Sequence, residues 1–149
     1  MRKIFKKLLL SCLMLAFSFT ASAQNESYDW TKVMDAIIKV ESKGNPKAHN
    51  PNGNCAGILQ ITKILVREAN QILKKNKSQK HYTYADRYNA EKSKEMFILL
   101  QEHFNPEHNV EKAIKCWNCG FYHKTKNEWK NKSIDYWKKV MSHYNNGGE

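Results

Sequence analysis

Glu41 stands where a hydrophobic side chain is expected. Trp30, Val33, Met34, Ile37 and Ile38 recur at the i, i+3, i+4, i+7, i+8 spacing of one buried helical face, and the next position on that stripe is Glu41. A carboxyl drawn toward an apolar face loses hydration of its charged form, so its pKa rises. A raised carboxyl pKa suits a general acid working near neutral pH. Ser42-Lys43-Gly44-Asn45-Pro46 follow, end the helix and leave Glu41 at the rim of whatever cavity lies there. The alternative is a last-turn glutamate bent out to solvent, since acidic residues are rarely fully buried.

The thiols are the second reactive set. Cys116-Trp117-Asn118-Cys119 has C-x-x-C spacing, but Gly120 stands where a haem attachment site needs His. The chain has no second C-x-x-C or paired-His motif for structural zinc, and no strand pattern of the kind a thioredoxin-like motif needs flanks this one. Neither a metal nor a redox role is expected.

The elements that must position these groups read as helices. The first spans about Asp29 to Ser42, and a loop rich in Asn, Pro and Gly runs from Lys43 to Ala56. A second helix is expected from about Thr62 to Lys75, with Ile64, Leu65, Ala69, Ile72 and Leu73 inward. A polar, lysine-rich connection, Asn76 to Tyr84, leads to a third helix from roughly Asn89 to Phe104, with Ser93, Met96, Phe97 and Leu100 at core spacing. Asn105-Pro106 breaks it. A fourth begins near Asn109, carries Val110, Ala113, Ile114 and Trp117 on one face, and stops at Gly120. A fifth covers about Ser133 to Tyr144, with Ile134, Trp137, Val140, Met141 and Tyr144 on its apolar side, before a polar tail over 145–149. No strong strand alternation, internal repeat or low-complexity block appears. The fold class is mostly α, a single small helical domain.

Residues 1–23 read as a cleaved signal peptide. Arg2, Lys3, Lys6 and Lys7 precede an apolar run from Leu8 to Phe19, and Ala21-Ser22-Ala23 is a small-residue cleavage site before Gln24. The run is short for a bilayer span, and a lipoprotein reading at Cys12 has too few apolar residues before it. The exported chain is then about 126 residues, one domain in size. It retains Cys55, Cys116 and Cys119, an odd count, in a compartment that permits disulfides.

The chain has 25 Lys+Arg against 14 Asp+Glu, and loss of the leader leaves 21 against 14. Such a basic exported protein suits anionic surfaces, including wall polymer, lipopolysaccharide and lipid head groups. Charge alone would admit nucleic acid, but export argues against it. Many lysines, Lys74, Lys75, Lys77 and Lys80 among them, read as a solvated surface.

Three segments in order carry a family resemblance: Glu41-Ser42-Lys43-Gly44-Asn45-Pro46; Gly53-Asn54-Cys55-Ala56-Gly57 with Gln60 following; and Trp117-Asn118-Cys119-Gly120. Together they resemble the lytic transglycosylase domain of the soluble (SLT) type, in the lysozyme-like superfamily that includes goose-type lysozymes. Asp86 to Asn89, Met96-Phe97 and Tyr136 to Val140 look like a divergent subgroup of the same domain, so the resemblance covers about Tyr28 to Tyr144. It implies a lysozyme-like helical domain with a substrate cleft, acting on peptidoglycan without metal or cofactor, in the periplasm or at the cell surface, with peripheral envelope association compatible. It implies Glu41 as the single catalytic acid/base for cleavage between N-acetylmuramic acid and N-acetylglucosamine, leaving a 1,6-anhydromuramoyl end. Substrate contacts fall to Ser42, Gly57, Gln60, Trp117 and Asn118. Each also has a plain structural role open to it: helix end, turn, cap or core. Trp117 departs from the family, where many members have a Tyr whose hydroxyl lies close to the Glu; the indole offers instead a ring face and an N–H for a carboxylate or carbonyl. If the second and third segments line one cleft, Cys55 reaches Cys119 or Cys116 for a disulfide. A water-using muramidase would need a second acid from Asp86, Glu68, Glu91 or Glu95, and a non-catalytic wall-binding module would keep the cleft alone.

Overall fold

The computed structural model describes residues 28–52, 54–122 and 128–147. The leader, Cys12 and Gly53 lie outside them. Five α-helices follow the apolar stripes: α1 (Thr31–Glu41), α2 (Lys63–Lys75), α3 (Ala90–Phe104), α4 (Val110–Cys119) and α5 (Ile134–Asn146). Their starts are chemically marked. Thr62, Asn89 and Asn109 each accept a hydrogen bond from the backbone N–H three residues on, a cap that contributes about 1 kcal/mol. Gly120, at φ +91°, ends α4. None of the described helices is long and apolar enough to cross a membrane.

A small antiparallel sheet, absent from the sequence reading, interrupts the expected 43–56 loop. Strands β1 (His49–Asn50), β2 (Cys55–Ala56) and β3 (Ile61–Thr62) pair in that order. Two-residue strands carry too little alternation to register as a period. Short 3-10 turns at Tyr84–Tyr88 and Glu128–Asn131 complete the connections.

The core gathers Trp30, Ile37, Leu59, Phe97, Leu100 and Ile114, all at or below 1% exposure. Each such side chain contributes roughly 1.5–3 kcal/mol on leaving water. Helix α1 packs against α4 and α5, and α2 packs against α3. The inward face of α2 is Val66, Ala69, Ile72 and Leu73. Ile64, expected inward, is 58% exposed, because α2 begins at Lys63 and its first turn overhangs a groove. Ile134, expected on the apolar side of α5, is also exposed.

Arg87 holds the sheet to the rest. Its Nε donates to the Tyr84 carbonyl at 2.8 Å, and its Nη1 donates to the carbonyls of Asn54 at 2.9 Å and Ile61 at 3.2 Å. Its own carbonyl accepts from Ser93 Oγ and presses on Gly57, where a Cβ would lie 1.7 Å from that oxygen. With φ +79° as well, position 57 admits only glycine.

Candidate active site

Helix α1 delivers Glu41 as its final residue. The apolar stripe turns that face inward, so the side chain is half-buried at the edge of the core. The helix stops there because the next residues bend away: Lys43 and Gly44 both take positive φ. Ser42 fixes the break. Its Oγ donates to the Ile58 carbonyl at 2.7 Å and accepts from the Gly44 N–H at 3.1 Å, stitching the end of α1 to the turn after β2.

The partner of Glu41 comes from the far end of the chain. Tyr136, on the first turn of α5, donates its hydroxyl to Glu41 Oε1 at 2.6 Å. Burial pushes the Glu41 carboxyl above its ordinary value, and the Tyr136 hydrogen bond offsets only part of that rise. Burial and the Glu41 charge also drive the Tyr136 phenol far upward, so it stays a donor. Among the described residues, Oε2 of Glu41 takes no protein hydrogen bond. A carboxyl with one oxygen held and the other open, and with a raised pKa, can give a proton to a leaving group and take one back.

The sheet lies alongside. Cys55, on central strand β2, pairs with Asn50 on one side and Thr62 on the other. Ala56 and Ile61 turn into the core, so Asn50, Cys55 and Thr62 share the outward face. The Cys55 thiol is raised by burial first and by the nearby Glu41 charge second, with Arg87 opposing. The outward sheet face and Glu41 are therefore neighbours. Beyond Thr62 a pocket of 270 Å³ opens between the start of α2 and the end of α4, walled by Ile64, Leu65, Phe104 and Trp117; it accounts for the exposed Ile64.

The other sequence-derived site residues sit around this centre in bracing positions. Gln60, at φ +48°, donates from Nε2 to the Gly57 carbonyl at 3.0 Å, closing its own turn. Gly57 yields space to the Arg87 backbone. Trp117 is buried, with its ring 4.9 Å from that of Phe97; its Nε1 donates to the Leu59 carbonyl at 3.1 Å, the kind of acceptor expected for an indole here. Asn118 is exposed and accepts from Ser133 Oγ at 2.7 Å, tying the end of α4 to the residue from which α5 starts, one turn before Tyr136. Cys119 ends α4. Cys116, one turn earlier, is buried, and burial with the neighbouring Cys119 pushes its thiol up to about 12.

Two side chains that hold the site, Tyr136 and Arg87, were given no role of their own in the sequence reading, although both lie in segments that carry the family resemblance. Tyr136 lies at the margin of the α5 apolar stripe, one residue before Trp137; a phenol in that position was the available signal. Arg87 is 4% exposed and bonded only to carbonyls; its segment, Asp86 to Asn89, was part of the family resemblance, but nothing in the sequence showed which carbonyls it would reach. The four acids weighed as second carboxylates have other ties. Asp86 pairs with Lys92, Glu95 with Lys80 and Glu91 with Lys94, while Glu68 accepts from the Tyr122 hydroxyl. Among the described residues no group of three or more His, Cys, Asp or Glu side chains is placed to hold a metal ion.

A family model described as the transglycosylase SLT domain matches residues 18–140. No curated protein and no solved structure matches the chain.

Proposed function

The chain belongs to the transglycosylase SLT domain family, and we propose on that premise that it is an exported peptidoglycan lytic transglycosylase with Glu41 as its single acid/base. Protonated Glu41 gives its proton to the glycosidic oxygen between N-acetylmuramic acid and N-acetylglucosamine as the C1–O bond breaks. The resulting carboxylate then takes the proton of the muramic acid 6-hydroxyl as that oxygen bonds to C1. The product is a 1,6-anhydromuramoyl end, and no water is consumed. The substrate's acetamido group stands in for the second carboxylate that ordinary glycosidases use. Gln60, Asn118 and the outward sheet face carry the glycan past Glu41.

The observation that carries this reading is the state of Glu41: half-buried, raised in pKa, one oxygen held by Tyr136 and the other open. The decisive experiment is mass spectrometry of sacculi digested by the protein and by its Glu41→Gln variant. Anhydro-ended muropeptides that vanish in the variant are the expected result. Reducing-end products would mean a muramidase, and binding without any soluble product would mean a wall-binding module.

A further inference from the structure

Two shallow grooves run along the side of α2 and the connection that follows it, and they meet at Asn70, Gln71 and His81. One has a volume of 530 Å³ and the other 540 Å³. Their walls carry Arg67, Lys74, Lys77, Lys80 and His81, and no carboxylate is among their lining residues. Lys80 is neutralised by Glu95 at 2.6 Å. Arg67, Lys74 and Lys77 are all exposed and form no ion pair among the described residues. Of these, only Lys74 has a local reason to be basic, since it complements the C-terminal end of the α2 dipole.

The floor of this double groove is fixed in advance. Asn70 donates from Nδ2 to the Tyr82 carbonyl and accepts from the Tyr82 N–H, both at 2.8 Å, so the connection is fastened to the helix. Tyr84 closes one end. Arg67 and Lys74 lie two turns apart on α2, about 10 Å along its axis, and Lys77 follows just past the helix end, where the chain turns at positive φ.

We propose that this groove is a docking site for a linear phosphate-bearing polymer of the cell envelope, separate from Glu41. Charge complementarity argues for this occupant: exposed cations that no lining carboxylate opposes match the repeated negative charge of such a chain. Binding here would hold the enzyme on the wall while the glycan is cut elsewhere on the molecule. It does not depend on the reaction assigned to Glu41, because it is read without turnover.

The test uses long-chain inorganic polyphosphate as the probe, with affinity followed by fluorescence anisotropy across a salt series. The triple variant Arg67→Glu, Lys74→Glu, Lys77→Glu should bind at least tenfold more weakly and show a shallower salt dependence, as each lost phosphate contact removes about 0.7 from the logarithmic salt slope. A control with the same net charge, Lys39→Glu, Lys138→Glu, Lys139→Glu, should bind like the parent. Circular dichroism of both variants keeps a folding failure from passing as lost binding; Arg67→Gln with Lys77→Gln gives a milder second pair. Equal weakening in both triple variants would reduce the groove to bulk charge and overturn the proposal. So would parent protein that ignores polyphosphate, or that binds phosphatidylglycerol vesicles alone.

Discussion

Among the glutamates held by an aromatic side chain, Glu102 and Glu41 end in opposite states. Glu102, on α3, has both oxygens engaged: Trp30 Nε1 reaches Oε1 at 2.7 Å and His108 Nε2 lies 3.1 Å from Oε2. Tyr28 stacks on His108 at 4.8 Å, so this carboxylate clasps the start of the described chain to the turn between α3 and α4. Glu41 has one donor, at 2.6 Å, and one open oxygen. Glu102 is saturated and a good clamp. Glu41 is under-satisfied at the edge of the core, an arrangement that costs stability and leaves a proton to trade.

Swapping each carboxyl for its amide is the sharpest way to test that contrast. Glu41→Gln should lower turnover by about a hundred- to ten-thousand-fold while circular dichroism stays unchanged; Glu102→Gln should leave the rate within a small factor. Equal losses in both would dissolve the distinction. Gly57→Ala should be the most damaging change to the fold near the site, lowering stability by more than about 2 kcal/mol, because the new methyl meets the Arg87 carbonyl; denaturant midpoints read this directly.

Tyr136→Phe probes the single donor. Its hydrogen bond lowers the Glu41 pKa, so its loss should move the basic limb of the pH–rate profile to higher pH and reduce the rate about tenfold. An unshifted profile would mean that the phenol only packs. In Glu102→Gln the amide cannot accept from both donors as the carboxylate does, and unfolding free energy should fall by about 1–3 kcal/mol.

The smallest effect is a linkage. Because the folded pKa of Glu41 lies above its ordinary 4.5, the native state binds the proton more tightly. Stability from this group is therefore full below about pH 4.5 and is lost as pH rises through the folded value. Glu41→Gln should accordingly match the parent at low pH and be more stable at neutral pH. A flat difference between the two stability–pH curves would show that burial does not strain this carboxyl.

Much of this was legible in one dimension. The caps at Thr62, Asn89 and Asn109, the stop at Gly120 and the stripe ending at Glu41 are local events, because helix periodicity and capping act over three or four residues. Gly57 was read as a substrate contact or a turn, whereas the reason for glycine lay 30 residues away in the Arg87 carbonyl. Ile64 was misplaced because a stripe does not say where its helix first meets the core. Trp117 was read as a replacement for a hydroxyl near the acid, while the hydroxyl that reaches Glu41 arrives on α5.

From its sequence alone the chain determined five amphipathic helices, their ends, and a carboxyl at the limit of an apolar face. Only the tertiary structure decided that Tyr136 would reach across 95 positions to hold one oxygen of that carboxyl. The reason is range: helix patterning is set by neighbours within a turn, whereas the polarity and hydrogen bonding of a buried acid are set by whichever distant surface the packing of α1 against α5 brings against it.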